Sequence, residues 1–191
     1  MISLTTMNVP TGFLVVRSQP DSSGNPLRYC GVDRVPPYSP HETADGPHEQ
    51  AVLEQYVFGE YKDEATNVIL SFERALQLFR SFSSSRHKYE IVFCSESEQI
   101  LPNLGPDLRV EPLGYDVAAV RGDYWSIVDD FSPSEWASLY RRQLNEFGLF
   151  RGKQEARAYL MEYRERGEPD GDFAFDVVHV ARIHLFPGPS R

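Results

Sequence analysis

The stretch Phe173-Ala174-Phe175-Asp176-Val177-Val178-His179-Val180-Ala181-Arg182-Ile183-His184-Leu185-Phe186 decides the fold class. Phe173, Phe175, Val177, His179, Ala181, Ile183 and Leu185 share one face of an extended chain, while Asp176, Arg182 and His184 fall on the other. A period of two sustained over that length predicts a strand that is central in its sheet or curls along it. His179, on the apolar face, reads as a satisfied core histidine. Five positions separate it from His184, so the two point to opposite faces and that strand alone cannot bring both to one metal.

Working outward, the other elements come in an irregular order. Phe13 to Arg17 is a β-branched run closed by Ser18-Gln19-Pro20-Asp21, a strand and a turn. From Asp63 on, Ala65, Val68, Ile69, Phe72, Ala75, Leu76 and Phe79 recur at three- and four-residue spacing, which predicts an amphipathic helix. Tyr89 to Cys94 is a strand. Leu108 to Glu111 with Leu113 to Val117 is another, interrupted at Pro112 and Gly114 by an edge, bulge or bend. Ser132-Pro133-Ser134-Glu135 has the cap, the first-turn proline and the back-bonding glutamate of a helix start, followed by Trp136, Leu139, Tyr140, Leu144 and Phe147. Gly148 stops it, and Gln154 to Arg164 forms a second helix through Ala156, Tyr159, Leu160 and Tyr163. Without regular strand-helix alternation, the fold class is α+β: a mostly antiparallel sheet with about three helices packed on one face, in a single domain. A Pro/Gly-rich loop at about 20–50 is the one long irregular insertion.

The chain has 191 residues, 41% apolar and 25% charged, enough for a real hydrophobic core in one domain. No run is long and apolar enough for a membrane span, and the N-terminal residues lack the pattern of a signal peptide, so the expectation is a cytoplasmic protein. Cys30 and Cys94 are too few for a disulfide framework or a zinc knuckle; Cys94, in the run Ile91 to Cys94, reads as a buried small hydrophobe.

The formal net charge is -9, which excludes a general affinity for nucleic acid or anionic membranes and suits a basic protein partner. The excess is concentrated. Between residues 90 and 135 stand Glu90, Glu96, Glu98, Asp107, Glu111, Asp116, Asp123, Asp129, Asp130 and Glu135 against Arg109 and Arg121 alone. Within that segment, residues 115–131 interleave acids with aromatics. Tyr and Trp supply contact area at interfaces and flanking carboxylates steer a basic partner, so Asp116, Asp123, Tyr124, Trp125, Asp129 and Asp130 are the candidate partner-binding residues. Trp125 and Phe131 serve equally well as core residues.

Signatures of catalysis are lacking: there is no Gly-x-Ser-x-Gly elbow, phosphate loop or dinucleotide fingerprint, and no cofactor or metal is expected. The competing reading is a small-ligand-binding protein or hydrolase-type enzyme whose pocket lies under the 20–50 loop, using His41 or His48 with a carboxylate.

Leu113-Gly114-Tyr115-Asp116-Val117, Tyr124-Trp125-Ser126-Ile127 and Leu144-Asn145-Glu146-Phe147-Gly148-Leu149-Phe150 together resemble a pattern in small acidic bacterial immunity proteins of polymorphic toxin systems. The resemblance covers about a fifth of the chain and contains no catalytic signature. It implies a non-enzymatic protein that binds and neutralises a cognate toxin domain through an acidic, aromatic surface.

Overall fold

The computed structural model describes residues 11–18, 68–82, 88–102, 104, 108–119, 126, 139–140, 142–166 and 175–185. Its elements are β1 (Gly12–Ser18), α1 (Phe72–Ser81), β2 (Lys88–Ser95), β3 (Leu108–Ala119), α2 (Lys153–Glu165) and β4 (Phe175–Leu185). The four strands form one sheet in the order β1-β2-β4-β3, with every neighbouring pair antiparallel. The class is therefore α+β, and the alternating stretch that begins at Phe173 supplies an inner strand, flanked by β2 and β3.

Both faces of the sheet are apolar and buried, which corrects the expectation of a single packed face. Phe13, Val15, Ile91, Phe93 and Ile183 join Ala75 and Leu78 of α1 in one cluster. Their strand neighbours Leu14, Val16, Val92, Cys94, Val178 and Val180 belong to a second cluster, which also holds Ala156, Tyr159 and Leu160 of α2. Val177 and Val178 are both almost fully buried, so strict alternation of apolar and polar residues fails at the centre of β4. A strand covered on both sides tolerates apolar residues at successive positions, and each fully buried valine or isoleucine contributes about 1.5–3 kcal/mol.

The first helix is shorter than its hydrophobic spacing predicts. Val68 and Ile69 are not helical: Ile69 exchanges two backbone hydrogen bonds with Phe13, at 2.8 and 2.9 Å, and so pairs with the outer edge of β1. The helix begins only after Ser71, whose hydroxyl accepts from the Arg74 amide at 3.5 Å. Apolar residues spaced for a helix also satisfy a short extended segment when a strand edge offers backbone partners.

A similar correction applies to the helix expected from Ser132. Residues 132–138 lie outside the described residues; Leu139 and Tyr140 are helical, but Leu144 and Phe147, expected on the same helix face, sit in a turn. That turn is organised by Asn145, whose side-chain oxygen accepts from the amides of Phe147 (2.9 Å) and Leu149 (3.1 Å). Gly148 follows at φ 72°, a conformation that favours glycine. Two helices, not three, are complete among the described residues. The 20–50 loop lies outside them.

Pro112 and Gly114 bracket a bulge in β3: Pro112 pairs with Ala181 and Gly114 with Val180, leaving Leu113 as the extra residue. The place of β3 at the end of the strand order explains both residues. At the outside of the four-stranded order a proline breaks no inter-strand ladder on its free side, and Gly114 takes φ 146° where the Phe150 carbonyl presses closely.

Candidate functional site

Of the six residues expected to bind a partner, Asp116 is the one within the described residues; Asp123, Tyr124, Trp125, Asp129 and Asp130 lie outside them. Asp116 is 2% exposed and so presents nothing to a partner, which corrects its assignment to a surface patch. Its Oδ1 accepts from the Ser126 hydroxyl at 2.6 Å and from the Val117 amide at 2.8 Å. Ser126 is itself fully buried, and Ala118 and Ser126 form an isolated antiparallel bridge. A buried carboxyl requires such donors, so Asp116 fastens the residue-126 segment to β3.

Two further acids of the same sequence segment are drawn into a cross-strand network. Arg182, on β4, lies between Glu90 of β2 and Glu111 of β3: its Nε is 3.2 Å from Glu90 Oε2 and its Nη1 is 3.5 Å from Glu111 Oε2. The His184 Nε2 approaches the same Glu111 oxygen to 2.6 Å. The guanidinium also lies 5.2 Å from the centre of the Phe147 ring, within reach of a cation–π contact. Burial pushes the Glu90 carboxyl above its usual range and Glu111 adds to the rise, while Arg182 and His184 oppose it. The sheet order β2-β4-β3 is what brings these four together, because β4 carries Arg182 and His184 between the two glutamates.

The remaining described acids of the segment behave differently. Glu96 and Glu98 are exposed, just beyond the end of β2. The Glu98 carboxylate accepts from the Tyr115 hydroxyl, and burial together with that carboxylate holds the phenol above its usual range. Lys153, at the start of α2, donates to the Glu96 carbonyl at 2.6 Å. Tyr115 itself packs 5.3 Å from the His179 ring, centre to centre.

His179 was expected to be buried, and it is; it was also expected to be satisfied, and among the described residues it has no partner. It is 1% exposed and neither ring nitrogen has a hydrogen-bond partner among the described residues. Burial holds its imidazole below the usual range; Glu98 works against that effect and Lys153 with it.

His41 and His48 of the competing reading lie outside the described residues. Among the described residues no group of three or more His, Cys, Asp or Glu side chains is placed to hold a metal ion, and no helix is long and apolar enough to cross a membrane. The described acids of that segment thus divide into a buried anchor, an arginine-centred network and two exposed glutamates. No family model, curated protein or solved structure matches the chain.

Proposed function

We propose that the chain is a non-enzymatic binding protein that takes up a basic protein partner, in the manner of an immunity protein masking a toxin domain. What carries the reading is a charge imbalance in the sequence that exceeds the pairing and burial found among the described residues. With Glu90 and Glu111 engaged by Arg182 and Asp116 buried, seven acids of the 90–135 segment remain: Glu96, Glu98, Asp107, Asp123, Asp129, Asp130 and Glu135. Arg109 and Arg121 are the bases set against them in sequence. Exposed Glu96 and Glu98 are the described part of that set, and Tyr124 and Trp125 supply the aromatic contact area beside Asp123. The proposed docking set is accordingly Asp123, Tyr124, Trp125, Asp129 and Asp130 with Glu98 added and Asp116 removed.

The test is a salt series on the complex with a captured basic partner, comparing the parent chain with Asp123→Asn/Asp129→Asn/Asp130→Asn. Long-range steering is screened over about 8 Å at physiological ionic strength, so association slows both with added salt and in the variant. An on-rate indifferent to both changes excludes the acidic-surface reading.

A further inference from the structure

His179 occupies the middle of β4, opposite Ser95 of β2 and Tyr115 of β3. Ser95 is fully buried and donates to the Ser97 carbonyl at 2.8 Å, so it closes the turn that follows β2 and does not reach the imidazole. Tyr115 directs its hydroxyl to Glu98. The charged groups that bear on His179 come from two other elements: Glu98 from the turn after β2 and Lys153 from the first residue of α2. One imidazole therefore sits at the meeting point of three strands and a helix, with no hydrogen-bond partner among the described residues. A neutral ring is tolerated there at moderate cost. A charged one is not, because a buried cation without hydrogen bonds loses its hydration and gains nothing in return.

We propose that His179 is an acid-operated latch: uptake of one proton from solvent opens the junction of β2, β3, β4 and α2 and frees the Ser95–Gln99 turn. No covalent bond changes. In the closed state the ring is neutral and enclosed; in the open state the imidazolium reaches water, and Glu98, whose charge already acts on the ring, is there to receive it. The device shares Glu98 with the binding surface proposed above but does not depend on that surface having a partner.

Linkage fixes the size and sign of the effect. A histidine that titrates normally when open, at about 6.5, and resists protonation when closed raises the open-to-closed ratio by up to tenfold for each pH unit below 6.5. The rise stops where the closed form itself takes up the proton. Glu98 favours that uptake and Lys153 opposes it, so Glu98→Gln carries the rise to lower pH and Lys153→Gln cuts it short.

Amide hydrogen exchange of residues 95–99 and 115, corrected for the intrinsic pH dependence of exchange and followed from pH 7.5 to 5.5, reads the latch directly. The parent chain should show the rise, His179→Gln should be flat, and His184→Gln should match the parent. A flat parent profile, or a rise that persists in His179→Gln, overturns the proposal. Should His179→Gln fail to fold, the two charge variants decide: opposite displacements support the latch, and displacement in the same direction or none overturns it.

Discussion

The Ser126 hydroxyl donates to Asp116 Oδ1 over 2.6 Å with both residues buried. An acid that looks in sequence like part of a surface patch is thereby an internal fastener, joining β3 to a segment ten residues further along the chain. Asp116→Ala takes an acceptor from the Ser126 hydroxyl and from the Val117 amide, and a buried donor that loses its acceptor costs about 1–3 kcal/mol. Asp116→Asn keeps an oxygen at that place and should lose less. Urea midpoints of the two variants against the parent check the order; equal midpoints for all three would place the carboxyl outside the stabilising contacts.

Arg182 and Glu90 form the least exposed ion pair described, with side chains 18% and 9% exposed. Arg182→Met takes the guanidinium from two glutamates, and removal of one partner from a buried pair costs roughly 3–5 kcal/mol, with the lower end suited to this partly solvated arginine. The double variant Arg182→Met/Glu90→Leu should recover much of that loss, since the one carboxylate it leaves without the guanidinium is the more exposed Glu111. Chemical denaturation of both single variants and the double closes the cycle.

Gly114 combines φ 146° with a Cβ position only 2.6 Å from the Phe150 carbonyl oxygen, a backbone atom. Gly114→Ala forces that carbonyl away from the Tyr115 amide it accepts from at 2.8 Å, as well as straining the backbone by about 1–3 kcal/mol. Gly152→Ala meets only the Glu155 side chain at 3.6 Å and should fold nearly as the parent does. Thermal unfolding of the two variants side by side tests the contrast.

Tyr140 donates to Glu162 Oε2 at 2.7 Å, and burial with that carboxylate raises its phenol to about 12 from a usual 10.0. The folded chain thus keeps a proton that the unfolded chain releases. This contribution is complete below pH 10 and is lost as pH climbs through about 12. In Tyr140→Phe the decline in stability between pH 10 and 11.5 should be shallower, measured as the pH dependence of the urea midpoint. The same variant removes the hydrogen bond that depresses the Glu162 carboxyl, whose titration should move back up.

The strands Phe13 to Arg17, Tyr89 to Cys94 and Phe175 to Leu185, the irregularity at Pro112 and Gly114, and the helix around Ala156, Tyr159 and Leu160 are legible in the sequence. Each announces itself through local periodicity or through the conformational limits of proline and glycine. Val68-Ile69 and Leu144 to Phe147 misled for a common reason. Their apolar spacing fits a helix, but Phe13 and the Asn145 side chain supply hydrogen-bond partners that hold them in other conformations. No local pattern at Val68-Ile69 encodes a partner as distant as Phe13, and at Leu144 to Phe147 the apolar spacing masks the turn that Asn145 builds within its own segment.

By itself, then, the sequence determined the α+β class, a long closing strand and a strong acidic excess, because these follow from the order and composition of side chains. Only tertiary structure decided which acids are free to meet solvent. Glu90, Glu111 and Asp116 are far apart from their partners Arg182 and Ser126 in sequence or differ from them in element, and the β2-β4-β3 order and the bridge at Ser126 are what bring them within bonding distance. That His179 has no hydrogen-bond partner among the described residues was equally hidden: burial can be read from an apolar face, whereas hydrogen-bond satisfaction depends on which groups the neighbouring strands and helix direct toward the ring.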